Sequence, residues 1–260
     1  MIYAAILAGG KGSRMGYTNK LKQFLNIGDR PIIIHTLEKF LLEPRFDKVI
    51  VVCHEQWVVH MNNLINKYII SPFRDKVQVC SGGIDRNESI MQAIHYIEKE
   101  YGICDKDIII THDAVRPFVT SRIIRENIDM TLKYGATDTV IKAIDTIVTS
   151  KDGENVDKIP VRNQMYQGQT PQGFNLIKLK ELYEAIDITE REQLSDAAKI
   201  FILNGEKVKL VEGEVFNIKI TTSYDLKVAN LLMGDESMDK KDKNISIEAY
   251  KNEGVRINDK

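Results

Sequence analysis

The chain has 260 residues, 43% hydrophobic and 28% charged, enough to bury the core of one large domain or two small ones. A formal net charge of -1 excludes an overall basic field for nucleic acid or an anionic membrane, so any bound anion must be gripped locally. No basic leader opens the chain and no apolar run approaches the roughly 20 residues of a membrane span, so a soluble, reduced, cytoplasmic protein is expected.

Residues 2–7 form an apolar run that stops at Gly9-Gly10 and is followed by Arg14 and Lys22 with no acid between them. This predicts a buried strand feeding a cationic, phosphate-sized loop. The order matches neither G-x-G-x-x-G nor G-x-x-x-x-G-K-[ST], so neither a dinucleotide fold nor a P-loop is indicated. Further strands are expected at 48–53, 77–80 and 107–111, with helices near 31–41, 55–68 and 88–101. Pro31 suits a first helical position and Asp29 a cap. A helix at 121–134 leads through Gly135 to a strand at 137–144. This alternation predicts an α/β fold, a Rossmann-like, mostly parallel sheet flanked by helices.

From 145 to 160 the pattern changes to two short strands about Lys151-Asp152-Gly153-Glu154, a β-hairpin inserted where a helix would otherwise follow. A two-stranded ribbon is marginal alone, and a partner subunit is its natural cover. After Thr170-Pro171-Gln172 come helices near 176–185 and 195–203, a strand at 207–211 and a short run at 216–220. A last helix starts at Thr222, with Asp225 completing a capping box, and stops at Gly234 as a left-handed cap. Residues 1–234 thus read as one domain with an arm inserted at 145–170. The polar, lysine-rich stretch 235–260 is expected to be mobile or weakly helical.

Ligands of open parallel sheets bind at the carboxyl ends of the strands. Three polar or glycine-rich loops follow such ends: 9–22, then Ser81 to Ser89, then His112 to Pro117. In the first, Arg14 and Lys22 can flank a triphosphate and neutralise charge that builds at phosphorus, or they can be solvated. In the second, Gly82 and Gly83 permit close approach of a flat base, and Ser89 is either a helix cap or a base contact. Asp113 follows a buried strand, as a carboxylate holding magnesium against phosphate oxygens would, and an Asp113–Arg116 ion pair can coexist with that role. Cys53, Cys80 and Cys104 lie in or beside apolar stretches and read as small core residues. His54 and His60 lack the neighbours of a metal site. With no G-x-S-x-G elbow and no cysteine in an evident strand-edge loop, a reaction without a protein nucleophile fits best.

In order, these loops closely resemble the cytidylyltransferases that make CDP-alditols. Leu-Ala-Gly-Gly-x-Gly-Ser-Arg-Met-Gly, Lys-Gln-Phe, Gly-Gly-x-Asp-Arg-Asn-Glu, His-Asp-Ala-Val-Arg-Pro-Phe and Gln-Gly-Gln-Thr-Pro-Gln all occur in sequence, spanning residues 1 to about 234. One branch of that group uses ribitol 5-phosphate for teichoic acid, a cell wall polymer; the other uses methylerythritol phosphate for isoprenoids. Eight positions separate Arg14 from Lys22, Val115 stands where the isoprenoid branch has alanine, and Met165 to Gln172 is similar to the ribitol branch almost residue for residue.

The resemblance implies a nucleotidyltransferase-type fold, CTP and a polyol phosphate as substrates, and magnesium or another divalent cation. It implies that Arg14, Lys22 and Lys219 stabilise the transition state and that Leu7, Ala8, Gly9, Gly10, Gly82, Gly83, Ser89 and Asp113 bind the nucleotide, with Asp113 also on the metal. On the substrate side, Arg116 would brace the rim, while Thr146 and Arg162 would reach the sugar phosphate of the neighbouring subunit in a homodimer. Leu21 departs from the family, where proline precedes the lysine; this would loosen the loop and leave the cation in place. A nucleotide-binding module without catalysis is disfavoured by the retained Arg14, Lys22, Asp113 and Lys219. An NAD-dependent dehydrogenase is disfavoured by the missing glycine order and by Val52-Cys53-His54 where an acid is needed.

Overall fold

The computed structural model describes residues 1–10, 21–191, 194 and 196–234. Arg14 and the 235–260 stretch lie outside them, with the expectations placed on each. In chain order the elements are β1 (Ile2–Leu7), β2 (Asn26–Ile27), β3 (Arg30–Pro31), α1 (Ile32–Leu41), β4 (Lys48–Cys53), α2 (Val58–Tyr68), β5 (Val77–Ser81) and α3 (Arg86–Tyr101). Then come β6 (Ile108–Asp113), α4 (Ser121–Tyr134), β7 (Ala136–Lys142), β8 (Tyr166–Asn175), α5 (Leu176–Ala185), α6 (Ile188–Arg191), α7 (Ala197–Leu203), β9 (Lys209–Glu212) and α8 (Ser223–Gly234).

Among the described residues seven strands form one sheet in the order β5-β4-β1-β6-β8-β7-β9. β5, β4, β1 and β6 are mutually parallel, β8 runs antiparallel to both its neighbours, and β9 is parallel to β7. The alternation of strand side chains sorts the core into two layers. Ala4, Ile6, Val49, Val51, Ile108 and Ile110 meet α1, α2 and α4 on one face, while Tyr3, Ala5, Ile50, Val52 and Ile109 meet α3, α5 and α7 on the other. Strands covered on both faces are near-continuously apolar, and this is why 2–7 and 49–53 are legible as apolar runs. Among the described residues no helix is long and apolar enough to cross a membrane.

β8 is the element that the sequence conceals. Gly168, Gln169, Pro171 and Gln172 read as a loop, and proline is ordinarily excluded from a central strand because it cannot donate to the ladder. Pro171 is accommodated where the β7–β8 register shifts between Asp138 and Val140. The expected hairpin is not a ribbon. Between β7 and β8 one antiparallel bridge joins Thr149 and Lys158. Its turn is held by Asp152, whose Oδ1 accepts from the Glu154 and Asn155 N–H groups at 2.9 and 2.8 Å. Exposed on both sides in this chain, the excursion has nothing to pack its strands against.

Smaller corrections follow from local bonding. Pro31 ends β3 and precedes α1, and no side chain caps that helix. Residues 216–220 form no strand. Thr222 and Asp225 make the reciprocal cap at 2.8 and 3.1 Å, but α8 runs through Gly234 without a left-handed residue there. Cys53 and Cys80 are buried, whereas Cys104 is exposed and donates to Asp107 Oδ1 at 3.2 Å.

Candidate active site

The chain steps from β1 outward to β4 and β5, then crosses back to β6 on the other side of β1. Such a reversal leaves a crevice at the carboxyl ends of the strands. A cleft of about 340 Å³ lies there. Leu7, Ala8, Gly9 and Gly10 line it from the end of β1, and Lys22 from the 3-10 turn Lys22–Phe24. Gly83 and Ser89 line it from the turn into α3, Asp113 from the end of β6, and Lys219 from the segment after β9. These sequence-nominated residues therefore converge on one site.

The turn between β5 and α3 is pinned to its own helix. Asp85, not Ser89, is the cap: its Oδ1 accepts from Glu88 N–H at 2.8 Å. The Ser89 hydroxyl donates to Asp85 O at 2.7 Å and accepts from Gly83 N–H at 3.2 Å. A Cβ on Gly83 would collide with Glu88, so glycine is required there by the fold of the loop itself. Gly82 sits behind the cleft lining, with its N–H on Cys53 O at 2.8 Å.

Asp113 is the electrostatic centre. It is buried, and its carboxylate faces Lys219 Nζ at 2.9 Å, Arg116 Nε at 3.3 Å and Arg86 Nε at 3.7 Å. Burial alone would raise its pKa; the fields of Arg86, Lys219 and Arg116 outweigh it and hold the group well below the usual carboxylate range. Its backbone N–H donates to Thr170 Oγ1 at 3.1 Å, and Thr170 Oγ1 lies 2.9 Å from His112 Nδ1. His112 Nε2 is 3.0 Å from the Arg116 carbonyl. A carbonyl only accepts, so Nε2 carries the proton and Nδ1 accepts from Thr170. Burial pushes the His112 pKa down to about 4, which keeps this neutral tautomer near pH 7.

β8 braces the other wall. Gln169 Nε2 donates to Glu214 O at 2.8 Å, and its Oε1 accepts from Asn217 Nδ2 at 3.2 Å. Asn217 Nδ2 also reaches Thr170 O at 2.9 Å, and Asn217 O accepts from Arg116 Nη1 at 2.8 Å. With Ile220 N–H on Val115 O at 2.9 Å, these bonds fix the segment that carries Lys219.

Among the described residues no cluster of three or more His, Cys, Asp or Glu side chains could hold a metal ion. The donor chemistry instead fits magnesium shared with phosphates, which needs one or two carboxylates and fills its remaining positions with phosphate oxygens and water. Asp113 can supply that carboxylate, with Lys219 turned away from Oδ2.

Four nominated residues stand elsewhere. Gly82 is one. Arg116, assigned to the substrate side, is instead turned inward onto Asp113 and Asn217, because its guanidinium finds both partners beneath the rim. Thr146 and Arg162 are exposed on the excursion and do not line this chain's cleft; Arg162 Nη1 donates to Ile144 O at 3.3 Å. The sequence singles out none of Arg86, Gln23 and the β8 side chains, although all of them lie inside or beside quoted motifs.

The family model for IspD, 2-C-methyl-D-erythritol 4-phosphate cytidylyltransferase, matches residues 2–235. The chain belongs to this family. As a member of the IspD family it is a cytidylyltransferase, and thus a nucleotidyltransferase with the family's Rossmann-like α/β fold. Solved structures similar to it include 4-diphosphocytidyl-2C-methyl-D-erythritol synthase from Anaerococcus prevotii DSM 20548, at 27% identity and a TM-score of 0.72 over 90% of this chain and 96% of that one. The Francisella tularensis 2-C-methyl-D-erythritol 4-phosphate cytidylyltransferase is 28% identical, with a TM-score of 0.72 over 88% and 98%. The enzyme of the same name from Thermus thermophilus is 25% identical, with a TM-score of 0.64 over 89% and 98%.

Proposed function

We propose that this IspD-family cytidylyltransferase transfers the cytidylyl group of CTP to D-ribitol 5-phosphate, giving CDP-ribitol and pyrophosphate for teichoic-acid synthesis. The observation that carries cytidylyl transfer is the convergence of Lys22, Lys219 and Asp113 on one cleft at the strand ends. Ribitol as the acceptor rests on the resemblance of Met165 to Gln172, of Val115 and of the Arg14–Lys22 spacing to the ribitol branch. Methylerythritol phosphate is the second reading, favoured by the activity after which the family and the similar structures are named.

In this reading an oxygen of the acceptor phosphate attacks the α-phosphorus of CTP, and the bond to the oxygen bridging the α- and β-phosphorus breaks as pyrophosphate leaves. No protein nucleophile is needed; the residues position the two phosphates and neutralise growing charge. Lys22 and Lys219, with Arg14 from the loop between β1 and Lys22, stabilise the transition state. Leu7, Ala8, Gly9 and Gly10 offer backbone to the nucleotide, and Gly83 and Ser89 shape the wall for the base, with Gly82 behind them. Asp113 would hold magnesium, which when bound lowers the charge on the triphosphate and on departing pyrophosphate. Lys219 leaves Asp113 for the phosphates as CTP enters. Thr146 and Arg162 act on the sugar phosphate in the neighbouring subunit, and the exposed Ile144, Val148, Val156, Ile159 and Val161 give the excursion an apolar surface for that homodimer.

The acceptor is tested by comparing kcat/KM for D-ribitol 5-phosphate and 2-C-methyl-D-erythritol 4-phosphate with CTP and magnesium. Ribitol phosphate should be preferred; faster turnover of methylerythritol phosphate overturns the choice and leaves the transfer chemistry intact.

A further inference from the structure

Gln172 is buried on β8, with its side chain between acids and a base. Its Nε2 lies 2.9 Å from Asp138 Oδ1, and 2.8 and 3.0 Å from Asp196 Oδ1 and Oδ2. Asp196 is itself pinned, because Oδ1 accepts from Ala198 N–H at 2.8 Å as the cap of α7. An ionised carboxylate only accepts, so the amide has one usable orientation, and Oε1 must face the opposite way. There it accepts from Arg86 Nη2 at 2.9 Å.

Arg86 lines the cleft, and its Nε faces Asp113 Oδ1 at 3.7 Å. That distance is an ion pair and not a hydrogen bond, so Arg86 acts on Asp113 as a directed charge whose effect depends on its place. Asp113 from β6 faces this guanidinium directly, while Asp138 from β7 and Asp196 from the start of α7 lie on the far side of the Gln172 amide. Gln172 Nε2 donates to the two latter acids, and the amide presents only its oxygen to Arg86. Arg86 Nη1 is buried without a partner among the described residues, so Gln172 and Asp113 define the guanidinium's position. Without the amide, the guanidinium keeps its charge and gains a route to Asp138 and Asp196, away from the site.

We propose that Gln172 is a positioning residue for the transfer reaction, holding Arg86 against Asp113 and off the two acids behind it. The inference rests on the cytidylyl-transfer reading, and deepens it by giving a role to the last residue of the Gln-Thr-Pro-Gln motif.

The test is a double-mutant cycle in kcat/KM for CTP, measured by pyrophosphate release, on wild type, Gln172→Met, Arg86→Ala and the double variant. Methionine keeps the volume of glutamine and removes its amide. Gln172→Met should lose about 10-fold, Arg86→Ala at least as much, and the double variant no more than Arg86→Ala alone. Adding Asp138→Asn to Gln172→Met should restore part of the loss by removing a competitor for Arg86, a rescue that a packing role for Gln172 would not produce. Losses that multiply, with no rescue, overturn the proposal. Should Gln172→Met fail to fold, Arg86→Lys serves: lysine keeps the charge but cannot span Gln172 and Asp113, so wild-type kcat/KM in that variant refutes the inference. If wild type itself releases no pyrophosphate, it is the transfer reading that fails. The same cycle is then read in calorimetric CTP affinity with magnesium chelated, where multiplying losses again refute the positioning role.

Discussion

The Lys219 ammonium rests 2.9 Å from the Asp113 carboxylate, and among that carboxylate's three cationic neighbours it has the most exposed side chain, 41% against 22% for Arg86 and 11% for Arg116. Exposure makes Lys219 the cation able to leave, while the arginines stay as fixed struts. Lys219→Ala should therefore cut turnover by roughly 10²- to 10³-fold with a small change in stability, as for other transition-state charge partners at an exposed pair. Asp113→Asn should lose both turnover and stability, since it leaves the buried Arg116 and the half-buried Arg86 without their counter-charge. Pyrophosphate release and thermal melts on the two variants separate the effects.

Thr170 connects the Asp113 backbone to His112 through one hydroxyl. Thr170→Val leaves a buried N–H and a buried ring nitrogen unpaired, which should cost about 2 kcal/mol or more of folding stability. Thr170→Ser keeps the oxygen and should recover most of it. Denaturant unfolding of both variants checks this.

Stability against pH should depend on groups that act in opposite directions in one window. Burial and the nearby Asp196 push the Asp138 pKa up to about 6 against the Gln172 hydrogen bond, so the folded chain takes up a proton before the unfolded one and gains stability as pH falls from about 6 toward 4. His112, lowered to about 4 by burial, does the reverse: the unfolded chain is protonated first, and stability is lost as pH falls from about 6.5 toward 4. His35, lowered by burial, acts in the same direction as His112. Asp138→Asn removes the compensating gain, so its melting temperature should drop more steeply than that of wild type between pH 6.5 and 4.

If the excursion completes a neighbour's site, two inactive variants should complement each other. In a mixed dimer of Lys219→Ala and Arg162→Ala chains, one site keeps its own Lys219 and receives an intact Arg162. Co-refolding equal amounts should restore roughly a quarter of wild-type turnover, as statistical mixing in a two-fold dimer gives. No recovery would place Arg162 in its own chain's site or outside the reaction.

Legibility in the sequence followed burial. β1 and β4 could be read to the residue because their doubly covered positions form near-continuous apolar runs, and α4 because Gly135 (φ 83°) marks its end. β8 could not, because its buried stretch carries Gln169, Thr170 and Gln172, whose cost is met by specific partners that no local pattern reveals. The same holds for the site. Asp113 and Lys22 were visible as charges beside apolar or glycine-rich runs, whereas the role of Lys219 came from resemblance alone. Arg86 was invisible as a site residue because Gln172, which holds it, is 86 positions away in sequence.

The central claim, transfer of a cytidylyl group between two phosphates in the Asp113 cleft, is tested most directly by whether pyrophosphate release from CTP depends on the acceptor. With purified protein, CTP and magnesium, release should be negligible until D-ribitol 5-phosphate is added, and should then match CDP-ribitol formed mole for mole. Pyrophosphate released at the same rate without any polyol phosphate, or CTP bound with no release whichever polyol phosphate is supplied, would contradict it.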